Sequence, residues 1–275
     1  MKKAAIFSLI LCFLTPLFAQ TDDIKKDPRS PERVQEIIKH FTAKETEFRD
    51  ALKSYVFNRN ATIQSVGLGG NITGVYQRDS FMTFNEDGSR FEKVLFAPIS
   101  SLTEFSVTPE DLEDLGGVNP FALEPANIDK YNFTYLGTER IDELNLFVFD
   151  VTPKVIPDPK KTKLRLFTGR VWVDIEDEMI VKTKGKAVPE TKDNKFPVVE
   201  TWRENIDGKY WFPTFVSSDD ELVFNNGQVA HIRMRVKYAN YRQGRSDVRI
   251  LDDPGDTPAP KPTPTPTPKK TPLPE

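Results

Sequence analysis

The chain is poor in the residues that most often perform chemistry. Of its 275 residues, one is cysteine and two are histidine. Cys12 lies inside an apolar run near the N-terminus, so the rest of the chain has neither a disulfide nor a thiol nucleophile. Leu11 precedes it where a lipid-attachment motif needs a small residue, so no lipid modification is expected. His40 falls on an amphipathic stretch and His231 on the polar side of an alternating one; neither has a zinc-site spacing. Gly-x-Ser-x-Gly and His-Glu-x-x-His are absent. Gly67-Leu68-Gly69-Gly70 has no following Gly-Lys-Ser/Thr and reads as the end of a hairpin. The acidic runs Glu176-Asp177-Glu178 and Asp219-Asp220-Glu221 fall at expected turns, and a glycosidase would need such carboxylates to converge in a cleft. No enzymatic activity, metal or cofactor is expected. The formal net charge of −3, more negative once Lys2 and Lys3 are removed, argues against nucleic acid as a partner.

Both ends of the chain differ in composition from its middle. Lys2 and Lys3 precede the apolar stretch Ala4 to Leu14, which is too short to span a membrane stably. With Pro16 ahead of an expected cut after Ala19, residues 1–19 read as a secretory signal peptide. Export without disulfides fits a bacterial periplasm; the sequons beginning at Asn60, Asn71 and Asn132 would matter only in a eukaryotic secretory route. From 252 to 275 proline stands at nearly every second position, predicting an extended, solvated tail of polyproline II character. Such a tail serves either as a spacer or docking segment, or has no partner at all.

Between these ends the chain is rich in strand signals. Ser30-Pro31 reads as an N-cap followed by proline at the first helical position. Val34, Ile37, Ile38, Phe41, Phe48, Leu52 and Tyr55 continue at helical spacing, predicting one amphipathic helix over Pro31–Ser54. Strands are expected at Val56–Val66, Asn71–Asn85 and Arg90–Ala97. From Tyr131 to Tyr241 seven further β-rich segments alternate with turns such as Asp142-Glu143, Asp207-Gly208 and Asn226-Gly227. An antiparallel meander of this length must close, curl or stack to bury its apolar face. It is interrupted by an insert at about 108–128, which opens with the helix start Thr108-Pro109-Glu110-Asp111 and continues past Gly116-Gly117. Such an insert is either a functional lid or a plug over one end of the core.

Two face patterns occur within the strands. In Val229–Tyr241 the residues Ala230, Ile232, Met234, Val236 and Tyr238 alternate with His231, Arg233, Arg235 and Lys237, predicting a half-buried strand with a solvated basic face. Leu144–Val151 and Tyr210–Val216 are apolar on both faces, so both faces should be covered, by a filled core or around an apolar cavity.

The order of these parts resembles the periplasmic lipoprotein carriers of the LolA type. Gly74-Val75-Tyr76-Gln77-Arg78 resembles the family's glycine-hydrophobic-aromatic strand leading to a basic residue. Asn119-Pro120-Phe121-Ala122-Leu123 resembles its lid segment, and Phe149-Asp150-Val151-Thr152-Pro153-Lys154 its strand ending in Leu-Thr-Pro-Lys. Gly169-Arg170-Val171-Trp172-Val173-Asp174 and Asp207-Gly208-Lys209-Tyr210-Trp211-Phe212-Pro213 look like related outer-membrane lipoprotein-sorting proteins. The resemblance implies a mainly β fold with few helices: a large curved antiparallel sheet, an unclosed β-barrel, capped by the N-terminal helix and the lid insert. The single domain would span 20–251. It would bind an apolar ligand, lipoprotein acyl chains or a lipid, for transfer across the envelope. Tyr76, Phe81, Phe121, Leu123, Phe147, Phe149, Trp172 and Trp211 would line its cavity, and Arg78, although followed by Asp79, stands near the lid-latching arginine. Partners would be a lipidated protein or a lipid, with a donor complex at the inner membrane and an acceptor at the outer, and the protein would act as a monomer. The alternative is a sensor, regulator or scaffold resembling RseB, binding protein partners with a filled barrel.

Overall fold

The computed structural model describes residues 24–85, 89–108, 111, 123, 125–162, 164–192 and 194–244. The expected signal peptide, the proline-rich tail, most of the 108–128 insert and Phe121 lie outside the described residues.

Local chemistry sets the one long helix among the described residues, α1 (Pro31–Leu52). The Ser30 hydroxyl accepts the Arg33 amide at 3.3 Å and Pro31 occupies the first turn, where its missing N–H loses nothing. Ile37, Ile38, Phe41, Phe48 and Leu52 are buried along one stripe of the helix.

Ten strands follow: β1 (Tyr55–Val66), β2 (Ile72–Phe84), β3 (Arg90–Phe96), β4 (Tyr131–Ile141), β5 (Leu144–Pro153), β6 (Leu166–Asp174), β7 (Ile180–Val188), β8 (Val199–Ile206), β9 (Tyr210–Val223) and β10 (Val229–Gln243). They form one antiparallel sheet in the order β3-β2-β1-β10-β9-β8-β7-β6-β5-β4, which does not close into a barrel. Every neighbouring pair is consecutive in the chain except β1 and β10. The chain therefore meanders outward from β1 to one edge, passes to the opposite edge through the segment after Phe96, and meanders back. Tight turns carry the meander, with positive φ at Asp142, Asp207, Gly208 and Gly227. The β4 edge is partly covered by Lys25, which exchanges two backbone hydrogen bonds with Thr138 at 2.7 and 2.9 Å.

Register determines what each face carries. The paired residues Arg78, Ala61, Val236, Val216, Thr201, Thr183, Val171, Phe149 and Tyr135 form one row across nine strands, β2 to β4, so all point to the same side. α1 packs on this side, with the Phe41 ring 5.6 Å from Phe149 and Phe48 5.7 Å from Phe212. The next row, Val148, Trp172, Lys182, Trp202, Phe215, Lys237, Asn60 and Asp79, points to the other side. On that side the Lys182 ammonium sits 4.7 Å from the Trp172 ring and 4.2 Å from Trp202.

Glycines permit a close approach between two neighbouring strands. Gly169 on β6 faces Gly185 on β7, and a Cβ on Gly185 would lie 2.3 Å from Thr168 O and 2.6 Å from the Phe167 ring. The Phe167 ring covers both glycines in place of side chains of their own.

Two strands run on through residues that would be expected to end them. β4 passes Gly137 because a bulge at Tyr135/Gly137 absorbs the glycine. β9 runs on through polar Ser217-Ser218-Asp219-Asp220-Glu221 because pairing with β10 continues there, and the buried Ser218 hydroxyl donates to Val198 O at 2.7 Å. Pro213 is tolerated within β9 beside the bulge at Trp202/Arg203.

Candidate functional site

On the face that carries α1, the helix does not cover the whole sheet. Phe41 lies over Phe133 and Phe149, and Phe48 over Phe212 near Tyr55. Beside the helix the row narrows to small side chains, Thr201 and Thr183, next to Gly185 and Ala187. Small residues under no helix leave space, and a cavity of about 900 Å³ occupies it. Its apolar floor is formed by Ile63, Val199, Val216, Leu222, Ile232 and Met234, from four different strands. Phe105 and Val107, from the segment that leaves β3, and Leu123, from the insert, complete an apolar wall. The volume falls within the roughly 300–1,000 Å³ of small-molecule sites.

Each strand contributes through its alternation. Ala230, Ile232, Met234, Val236 and Tyr238 are buried on β10 while their neighbours are exposed or half-buried, as the sequence pattern predicts.

Charged groups surround the floor at defined places. Deepest is Arg203 on β8, which donates to both carboxylate oxygens of Glu45 on α1 at 2.6 and 3.1 Å, also donates to Ile180 O at 3.3 Å, and lies 4.5 Å from the Phe48 ring centre. Both partners are buried. At the β7–β8 connection, Lys186 Nζ is 3.0 Å from Glu190 Oε1 and Lys195 Nζ is 3.8 Å from Glu190 Oε2. Burial alone would raise the Glu190 carboxyl; hydrogen bonds from Lys186 and the Phe196 amide, with Lys195 nearby, hold it below the usual range instead. Where the insert begins, Thr108 and Asp111 cap each other: the Thr108 hydroxyl donates to Asp111 Oδ2 at 2.8 Å and accepts the Asp111 amide at 3.2 Å.

The residues singled out from the sequence go to several places. Leu123 lines the cavity. Tyr76 pairs with Ile63 on the cavity side but packs against the adjoining core. Phe147 and Phe149 lie among the side chains under the first half of α1, with Ile37, Ile38 and Phe41. Phe81 is paired with Asn58, and Trp172 with Val148 and Lys182, in rows on the opposite face. Trp172 is buried there and donates to Glu139 at 2.7 Å. Trp211 donates to Asp177 at the β6–β7 turn at 2.8 Å. Arg78 forms a two-pronged pair with Glu92 on β3 at 2.8 and 3.0 Å. Glu92 also accepts from the fully buried Arg59 and from Ser80, each at 2.5 Å. Among its described contacts, Arg78 thus secures the β2–β3 hairpin.

Sequence reasoning missed the apolar floor of Ile63, Val199, Val216, Leu222, Ile232 and Met234, and also the small and charged part of the lining: Thr183, Thr201, Gly185, Lys186, Lys195 and Arg203. Large aromatics fill space, so most of those singled out mark packed core; the aromatics that line the cavity, Phe105, Phe167, Phe196, Phe224 and Tyr238, are others. The available signal was the alternation of the small residues Thr183, Gly185 and Ala187 with lysines, leading into a lysine-bearing loop. Among the described residues, no group of three or more His, Cys, Asp or Glu side chains is placed to hold a metal ion.

No protein-family model matches the sequence, and no curated protein matches it. Among solved structures, the chain is similar to a DUF1329 family protein from Desulfovibrio piger, with 14% identity, 78% of this chain and 95% of that one covered, and a TM-score of 0.40. It is similar to a LolA superfamily protein from Nitrosomonas europaea at 16% identity, covering 77% and 93%, with a TM-score of 0.33. It is also similar to an outer-membrane lipoprotein-sorting protein domain from Vibrio parahaemolyticus at 12% identity, covering 73% and 91%, with a TM-score of 0.34.

Proposed function

We propose that this protein is a periplasmic carrier that takes an apolar ligand, the acyl chains of a lipoprotein or a lipid, into the cavity beside α1. The observation that carries this reading is the cavity itself: about 900 Å³ over a floor of Ile63, Val199, Val216, Leu222, Ile232 and Met234. Each methylene transferred from water to such a surface contributes about 0.8 kcal/mol, so an acyl chain supplies ample driving force. An open sheet offers an entrance that a closed barrel would not, and the insert at 108–128 stands at the wall through Thr108, Asp111 and Leu123. In this reading residues 1–19 direct export, 20–251 form the carrier and 252–275 form a solvated tail.

Acyl uptake tests the reading. Protein purified from an envelope fraction should carry lipid or a lipidated passenger in native mass spectrometry, and delipidated protein should take up a fluorescent fatty-acyl probe at about one per chain. A preparation that repeatedly carries nothing and takes up no probe overturns it.

A second reading, a protein-binding envelope module, is favoured by one observation. Edge strand β3 and the residues after it expose Val94, Leu95, Phe96 and Ile99, an apolar set on a strand with one neighbour among the described strands. Replacing Leu95 and Phe96 with lysine should abolish partner capture and spare acyl uptake if that reading holds.

A further inference from the structure

The charges around the cavity are distributed unevenly. Arg203 is matched by Glu45 in a two-pronged buried pair. Asp111 is engaged by Thr108 and lies 3.8 Å from Arg165, and Glu104 accepts from Thr73 at 2.9 Å. On the β7–β8 side, by contrast, two ammonium groups converge on one carboxylate, that of Glu190. Lys195 lines the cavity with its side chain only 17% exposed. Lys186 borders it from the end of β7, where its strand alternation turns it from the face that carries Thr183 and Gly185 toward the β7–β8 connection. A half-desolvated cation that shares its counter-ion is poorly compensated, and the apolar floor beside it lowers the local dielectric. An incoming anion there gains charge-assisted hydrogen bonds that a neutral group cannot make. The connection that presents the lysines is held in shape: the Thr191 hydroxyl accepts the Asn194 amide at 3.0 Å, and the Val198 amide donates to Asp220 at 2.8 Å.

We infer that the ligand of this cavity is an amphiphile with an anionic headgroup, a carboxylate or a phosphate, held by Lys186 and Lys195 while its chain lies on the floor formed by Val199, Val216, Leu222, Ile232 and Met234. The inference rests on the carrier reading and narrows it to one class of ligand. Neutral acylglycerols of equal chain length fit the floor but bring the two lysines no counter-charge beyond the one they share in Glu190.

The test compares three probes with one chain, palmitate, palmitoyl lysophosphatidate and monopalmitoylglycerol, as competitors of a fluorescent acyl probe on the full chain. The two anions should bind about tenfold or more tighter than the acylglycerol, and that advantage should shrink as salt is raised. Their rank order identifies carboxylate or phosphate as the preferred head. In a Lys186→Gln/Lys195→Gln variant the advantage should disappear while acylglycerol binding stays unchanged. Equal binding of all three probes by the unaltered protein overturns this inference and leaves the carrier reading standing, as does a folded variant that keeps the advantage. Binding of none of the three overturns both.

Discussion

Arg203 on β8 grips Glu45 on α1 through two hydrogen bonds, 2.6 and 3.1 Å long, with neither side chain open to solvent. Arg33 and His40 of α1 also pair with Glu178 at the β6–β7 turn, near the sheet's rim, while the apolar contacts between helix and sheet specify no particular sliding position. The buried Arg203–Glu45 pair does, because two planar groups meet in only one orientation. It also places the helix beside the cavity without letting it cover the cavity, since Arg203 itself belongs to the lining.

Breaking one half of that pair strands a buried charge. Glu45→Ala or Arg203→Ala is expected to destabilise the fold by about 3–5 kcal/mol. Replacing both at once with methionine and leucine should recover most of the loss, because two apolar groups leave no charge unpaired. Urea denaturation of the three variants checks this; single variants that unfold like the parent would show the pair to be energetically idle.

Glu92 gives the fold an acid-sensitive contact. Burial would raise its carboxyl, yet hydrogen bonds from Arg78 and Ser80, together with Arg59, hold it at about 2 against an ordinary 4.5. A carboxyl depressed in the folded state contributes stability above its unfolded value and loses it as the pH falls through the folded one. The contribution should therefore fade between about pH 4.5 and 2, by on the order of 2–3 kcal/mol. Glu92→Gln should lower stability at neutral pH and flatten the acid limb in that window. An unchanged acid limb in the variant would remove Glu92 from the account.

The facing glycines permit only one kind of neighbour. Gly185→Val is expected to cost about 1–3 kcal/mol, since its Cβ would meet Thr168 O at 2.3 Å. Phe167→Ala should cost about 3–5 kcal/mol, because it uncovers both glycines and opens space in the core. Thermal melts of the two variants measure both effects, and a valine variant as stable as the parent would contradict the close approach.

Filling the cavity should separate binding from folding. Val199→Trp is expected to weaken the uptake of an acyl probe about tenfold or more while changing stability by no more than about 1 kcal/mol, because the new ring enters empty space. Probe titration and a melt on the same sample decide it; full uptake with the ring in place would put the ligand elsewhere.

Removing residues 252–275 is expected to leave the melting temperature and acyl uptake unchanged, since so proline-rich a segment buries little and donates few hydrogen bonds. A fall in melting temperature on deletion would show that the segment packs on the domain.

Much of this architecture was legible from residue order alone. Alternation in Val229–Tyr241 named its buried face, Ser30-Pro31 marked the start of the helix, and Asp207-Gly208 and Asn226-Gly227 marked hairpins, because each of these signals depends on neighbours a few residues apart. That apolar faces of that extent need a cover was also within reach. Period-2 alternation left closing, curling and stacking equal, and only the family resemblance implied an open sheet capped by helices. What no local pattern contains is the join of β1 to β10, the rows it sets across the sheet, and the side of the sheet on which α1 lies. Those decided that Trp172 faces away from the cavity while Thr183 and Thr201 floor it, and that Lys186 and Lys195 meet one carboxylate. A strand's alternation says that two faces differ; only long-range pairing and the position of the helix determine which face is filled and which is left hollow.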